Sequence, residues 1–250
     1  MSDGFFVADL PADVAPGDRV AITGAEAHHA AVVRRLELAE AVTLVNGSGL
    51  SVLGQVVAVT KSRVDVEVAT VVAAPEPQPY LIVAQALPKS DRAELAVDLM
   101  TEAGVDRIVP WAAARSQVRW SGERGDKAHA KWAGAAREAS KQARRSRFPE
   151  IGQYAGLNQV VALLAGADCA IVMHEKATNP VWTCDIPCQG QIVIVIGPEG
   201  GLTDDEVSAF EAVGGQTCSM GPTVLRTSTA GAVAVTQVRL LAAMRQAGER

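Results

Sequence analysis

An unbroken run of β-branched residues, Ile192 to Ile196, empties directly into Gly197-Pro198-Glu199-Gly200-Gly201. An apolar run with no polar alternation is what a strand buried on both faces of a parallel sheet requires. The glycines after it let the main chain pass close to another group with no Cβ in the way. Thr203 and Glu206 follow at the Thr-x-x-Glu spacing of a capping box, which places a helix start beside the loop. Strand, glycine loop and helix N-terminus in that order build a ligand site at the end of a parallel sheet. The loop lacks both the dinucleotide and the phosphate-loop glycine patterns, and no Lys or Arg follows its glycines. Glu199 puts a carboxylate where a phosphate-binding loop avoids one, so a neutral or cationic ligand, such as a sulfonium compound, fits better.

The rest of the C-terminal part supports the same architecture. Apolar strands at Leu81–Ala86, Arg107–Pro110, Ala170–His174 and Ile192–Ile196 alternate with helices starting at Ser90, spanning Lys127–Arg145, and closing the chain through Arg245. That alternation predicts an α/β fold with a parallel sheet. Residues 1–72 read instead as short strands, Arg19–Thr23, Ala41–Val45, Val52–Thr60 and Arg63–Thr70, forming a small β-barrel or sandwich. In the last of them Val64, Val66 and Val68 alternate with Asp65 and Glu67, so one face is buried. One helix interrupts these strands, announced by Thr23-x-x-Glu26 and carrying His29, Val32, Val33 and Leu36 on one side. Residues 73–79 hold three prolines and read as an extended linker, which divides the chain into domains at 1–72 and 80–250.

The net charge of −5 is mildly acidic, yet Arg115 to Arg147 alone carries +7. A basic segment on an acidic body fits local phosphate contact and a polyanionic partner. Aromatic residues are only 4% of the chain, which disfavours an aromatic-lined single-strand groove. Cys169, Cys184, Cys188 and Cys218 show no Cys-x-x-Cys spacing, so no metal site is expected and reduced, cytoplasmic thiols are. Adjacent His28 and His29 point about 100° apart on a helix and cannot share a metal; His29 is expected at the core edge. No apolar stretch approaches the roughly 20 residues of a membrane span.

GPEGGLTDDEV paired with LRTSTAGA is similar to the signature pair of SPOUT-class RNA methyltransferases. Within that class the chain resembles the ribosomal RNA small subunit methyltransferase E family, which methylates N3 of a uridine in 16S ribosomal RNA. GAEAHHAAVVRRL, ALPKSDRAELAVDLMTEAGVDRIVPW and KWAGAAREASKQARRSRFPEIG extend the likeness over nearly the whole chain. The resemblance implies a PUA-like N-terminal barrel, a C-terminal α/β domain with a trefoil knot, and a homodimer. It implies S-adenosylmethionine as cofactor and 16S ribosomal RNA in the small subunit as substrate. The alternatives are a SPOUT enzyme acting on a different ribosomal or transfer RNA nucleotide, and a non-catalytic RNA-binding module.

Carried over position by position, the cofactor loops are His174 and Glu175; Gly197, Pro198, Glu199, Gly200 and Gly201; and Met220, Gly221, Val224, Leu225, Thr227 and Ala230. Met220, Val224 and Leu225 would supply an apolar wall. Arg226, between apolar Leu225 and the small residues that start the last helix, is the catalytic candidate; pairing with Glu199 or Glu102 is its structural alternative. Arg34, Arg35, Lys89, Arg144 and Arg145 are the candidate RNA contacts. Arg145, taken to share a helix face with Glu138 and Gln142 opposite a Trp132, Ala136, Ala139, Ala143 stripe, is open to pairing with Glu102 instead. Glu102 is expected on the apolar side of its own helix with Leu95 and Leu99, stopped by Gly104. Where the family commonly has Leu-Arg-Thr-Glu-Thr-Ala, this chain has Ser228 in place of the glutamate, and Leu99-Met100 replaces a common lysine. Glu199, Glu175 and His174 are candidates for proton removal, and no general base is assigned.

Overall fold

A computed structural model describes residues 4–89 and 92–248. Two compact units emerge, one taking the chain up to Glu76 together with Ser140–Phe148, the other Pro77–Ala139 with Pro149 onward.

The first unit is a curled five-stranded sheet. Its strands are β1 (Gly4–Val7), β2 (Arg19–Thr23), β3 (Ala41–Val45), β4 (Leu50–Val59) and β5 (Arg63–Ala73), in the order β1-β3-β4-β5-β2. Val64, Val66 and Val68 of β5 are buried as their alternation predicts, and they pack with Phe6, Ile22, Leu44 and Val56. The β4–β5 register slips at Leu53/Gly54, where the Gly54 backbone passes so close to Glu67 O that no Cβ would fit, and the sheet bends there. Residues 140–148 are tied in by Phe148 N–H to Gly47 O at 2.8 Å, Gly49 N–H to Ser146 O at 2.9 Å, and an Arg147–Glu76 ion pair at 3.1 Å.

The helix in this unit differs from expectation. α1 (Gly24–His28) passes at once into a π turn, His29–Val33, whose Arg34 N–H reaches back to His29 O at 2.8 Å. The extra residue per turn rotates the inward face onto Ala27, Ala30 and Leu36. Val32 and Val33 are therefore exposed rather than packed, while His29, also exposed, keeps its ring 6.2 Å from that of buried Phe6, at the core edge as expected. The Thr23 capping box does not form; Glu26 instead accepts from Lys141 Nζ at 2.7 Å, both side chains being largely buried.

The second unit is a six-stranded, wholly parallel sheet in the order β11-β9-β10-β6-β7-β8. Its strands are β6 (Tyr80–Ala86), β7 (Arg107–Trp111), β8 (Glu150–Ile151), β9 (Cys169–Met173), β10 (Gln191–Ile196) and β11 (Gln216–Cys218). Its helices are α2 (Ala93–Glu102), α3 (Gly122–Gln142), α4 (Leu157–Ala165), α5 (Asp204–Glu211) and α6 (Thr227–Gln246). Successive strand residues point to opposite faces, so Leu81 and Val83 pack with α2, α3 and α6 while Ile82 and Ala84 pack with α4 and α5. Both faces are thus covered, which is why the strands carry unbroken apolar runs.

Helix faces account for the remaining corrections. α2 buries Ala96, Val97, Met100 and Thr101, whereas Leu95 is exposed and Glu102 faces solvent. Gly104 does end it, at φ +94°, with Val105 N–H to Met100 O at 3.0 Å and Gly104 N–H to Thr101 O at 3.1 Å closing a Schellman turn. The expected helix start at Ser90 lies outside the described residues. α3 buries Trp132, Ala136 and Ala139 but stops at Gln142, so Ala143 is exposed and Arg145 does not continue the Glu138 and Gln142 face. The sulfurs of Cys184 and Cys218 lie against each other, with their Cα atoms 7.7 Å apart, wider than a disulfide ordinarily spans. Among the described residues no helix is long and apolar enough to cross a membrane.

Candidate active site

β11, β9 and β10 are neighbours in one parallel sheet, so the loops after them leave the same edge side by side. After β9 come His174 and Glu175; after β10, Gly197 to Leu202; after β11, Ser219 to Arg226; then α6 begins. These segments surround a cleft of about 400 Å³, within the range of small-molecule sites. Every residue expected at the cofactor site, from His174 through Ala230, lines it together with Arg226.

The glycine loop holds its shape by close packing. A Cβ on Gly197 would stand 3.1 Å from Leu202 Cγ, one on Gly200 3.0 Å from Arg115 Cβ, and Gly201 has φ +71°. Gly201 N–H donates to Pro198 O at 2.9 Å, making the turn. Arg115 straps the loop from outside: its Nη1 donates to Gly200 O and to Leu202 O, each at 3.1 Å. Just beyond the loop the Thr203 capping box does form, with Glu206 Oε2 accepting from Thr203 N–H at 2.8 Å while Oε1 accepts from Ala114 N–H at 2.7 Å. One buried carboxylate thereby fastens α5 to the segment that carries Arg115. The indole N–H of buried Trp111 donates to Ile196 O at 3.1 Å, fixing the last residue before the glycines.

Charge in the cleft is mixed. Glu199 Oε1 accepts from Lys89 N–H at 3.1 Å, and Glu175 Oε1 stands 3.3 Å from where a Gly201 Cβ would be. His174 Nδ1 accepts from Lys176 N–H at 3.0 Å, so in the neutral ring the proton is on Nε2. Arg226 is the exposed N-cap of α6, in extended conformation (φ −69°, ψ 147°), and its carbonyl accepts from Thr229 and Ala230 N–H at 2.8 and 2.9 Å. Among the described residues it makes no ion pair with Glu199 or Glu102. Ser228, the second residue of α6, is buried and its hydroxyl has no protein partner among the described residues.

The candidate RNA contacts divide between the units. Lys89 follows β6 in the second unit and is exposed. Arg34, Arg35, Arg144 and Arg145 all belong to the first. Arg34 pairs with Glu40 at 3.2 Å, Arg35 and Arg144 adopt left-handed φ of 56° and 52°, and Arg145 Nε donates to Arg147 O at 3.1 Å. Sequence reasoning missed Arg115 and also Gln85, whose amide is buried at the C-terminal end of β6. The signal for Gln85 was present, a lone amide within Leu81-Ile82-Val83-Ala84-Gln85-Ala86; for Arg115 there was none.

Two family models match the chain, an RNA methyltransferase domain over residues 74–239 and an RNA methyltransferase PUA domain over residues 22–69. Ribosomal RNA small subunit methyltransferase E of Mycobacterium bovis is 37% identical, covering 95% of this chain and 91% of its own length. The protein of the same name from Bacillus subtilis is 28% identical over 87% of this chain and 88% of its own. A Legionella pneumophila protein solved in complex with the bound cofactor S-adenosylmethionine superposes with a TM-score of 0.84 at 28% identity, covering 96% of this chain and 98% of that one. The parallel α/β unit and the curled strand unit are those of SPOUT methyltransferases that carry a PUA domain. On motif, fold and similarity along its whole length, the chain belongs to the ribosomal RNA small subunit methyltransferase E family of RNA methyltransferases.

Proposed function

We propose that this chain transfers the methyl group of S-adenosylmethionine to N3 of a uridine in 16S ribosomal RNA, on the small subunit, as a knotted homodimer in the cytoplasm. The observation that carries the reading is the meeting of three strand-end loops around one cleft with Arg226 among its lining residues.

The cleft suits the cofactor on its own chemistry. The glycine loop lines the cleft with main chain that carries no side chains, and Met220, Leu225 and Ala230 give an apolar wall. Glu175 and Glu199 supply negative charge suited to the amino and sulfonium groups. The holding residues would be His174, Glu175, Gly197 to Gly201, Met220, Gly221, Val224, Leu225, Thr227 and Ala230. When bound, S-adenosylmethionine supplies an electrophilic methyl group.

The chain's own task is to align uracil N3 with that methyl and to favour loss of its weakly acidic proton. Holding and desolvating the ring contributes through effective molarity. The Arg226 guanidinium stabilises the charge that develops on the ring as the proton leaves to solvent. His174 is a poor base in the observed arrangement, because Nδ1 already accepts a hydrogen bond and Nε2 carries the proton. Ser228 is buried, and its hydroxyl can hydrogen-bond but cannot take up a proton as a glutamate carboxylate would.

Support for a dimer comes from α6, where exposed Leu240 and Met244 stand one turn apart, and from Val224, 79% exposed at the cleft rim, where a second subunit would complete the site. Arg34, Arg35, Arg144 and Arg145 in the first unit, with Lys89 near the cleft, would contact RNA phosphates. The test is mass-spectrometric mapping of 16S ribosomal RNA from cells lacking the protein, with repair by purified protein and S-adenosylmethionine. One N3-methyluridine should disappear and return. A missing mark at another nucleotide would redirect the target, and a protein that neither binds the cofactor nor restores any mark would end the reading.

A further inference from the structure

Gln85 is the one amide in β6, fully buried and flanked in register by Ile196 of β10 and Pro110 of β7. Ile196 immediately precedes the glycine loop, so Gln85 stands at the end of the strand that neighbours the cleft. Its Nε2 donates to Ala86 O at 2.9 Å and to Thr227 O at 3.4 Å. These two carbonyls fix which end of the amide carries the N–H groups. Its Oε1 has no hydrogen-bond partner among the described residues. A leucine would fill the same space without an unpaired acceptor, so local packing alone does not call for glutamine.

What the amide adds is a tie to the first residue of α6. Gly231 makes room for it: a Cβ there would stand 2.8 Å from Gln85 Oε1 and 2.5 Å from Met100 Sδ. Thr227 is preceded directly by Arg226, and Leu225, Thr227 and Ala230 all line the cleft. A shift of this first turn therefore moves the guanidinium relative to the cleft. We infer that Gln85 is a positioning residue for methyl transfer, locking the first turn of α6, and with it Arg226, to the end of β6. This rests on the methyltransferase reading of the cleft.

The experiment compares wild-type protein with Gln85→Leu and Gln85→Met, in both the native and the Arg226→Ala background, measuring kcat, KM for S-adenosylmethionine and melting temperature with small subunits as substrate. Displacement of a reacting group by even a fraction of an ångström is costly, so kcat should fall about tenfold in each single variant. Because Gln85 acts through Arg226, the same substitutions should lower kcat less than about twofold once Arg226 is alanine. Unchanged kcat in both variants, or an equal fold-loss in the two backgrounds, overturns the inference, as does failure of both variants to fold. A wild-type protein that transfers no methyl overturns the underlying reading instead.

Discussion

Arg115 offers a test of whether the glycine loop must be held in shape before it can bind. Its guanidinium donates to the carbonyls of Gly200 and Leu202, each at 3.1 Å, and its Cβ packs where a Gly200 side chain would go. Each such bond is worth about 0.5–1.5 kcal/mol net, and the exposed position of the side chain argues against the stronger values given to buried charged groups. Arg115→Ala therefore releases about 1–3 kcal/mol of loop ordering. At 1.4 kcal/mol per decade, the Kd for S-adenosylmethionine should rise roughly 5- to 150-fold. Arg115→Lys keeps one donor nitrogen, as Nη1 alone serves both carbonyls, but loses the planar guanidinium that fixes its position, and should fall between wild type and alanine. Isothermal titration calorimetry measures the affinity, and a melting curve on the same samples shows whether the fold is intact. A Kd within twofold of wild type in a folded Arg115→Ala protein would refute preorganisation of this loop.

Arg226→Ala should abolish most methyl transfer while S-adenosylmethionine binding and melting temperature stay near wild type; unchanged turnover in a radiolabelled-methyl assay would remove its role. Burial first, and then the Glu102 and Glu94 carboxylates, push the Asp98 carboxyl above the usual aspartate range. For such a raised acid, the stability tied to the neutral form is present in full below the unfolded value and is lost as pH rises through the folded one. Asp98→Asn should therefore melt higher than wild type at pH 7 and lose that advantage below about pH 4; an equal difference at every pH would contradict this. The Cys169 thiol is pushed up to about 11 by burial first and by Asp185 next, with Arg245 opposing. Iodoacetamide at pH 8 should accordingly leave Cys169 untouched in folded protein while half-buried Cys188 reacts, and equal labelling in peptide mass maps would count against it.

Two identical sequence signals had opposite fates, and the contrast shows where local reading stops. Thr203-x-x-Glu206 and Thr23-x-x-Glu26 both have capping-box spacing, yet only the first forms. Glu206 has its partners within reach of its own helix start, whereas Glu26 is drawn to Lys141, a residue 115 positions away. The same limit applies to α2. Leu95 and Leu99 are strongly apolar, but the helix buries Ala96, Val97 and Met100, because α6 approaches on that side, with Gly231 leaving room for the Met100 side chain. Strands of two to four residues, β1, β8 and β11, are too short to show a period at all.

The glycine loop and Arg226, by contrast, were readable, because glycines after a buried strand and a charged residue at a helix start are local patterns with local causes, whereas the loops at His174 and Met220 came from the family resemblance. Chain order fixed which segments are strands, which loops carry glycine and which arginine opens the last helix. That β11, β9 and β10 lie side by side, that Arg115 straps the glycine loop, and that Gln85 reaches Thr227 were decided only by the folded sheet. Strand order and long-range hydrogen bonds depend on which distant surfaces pack together, and no window of the sequence contains both partners.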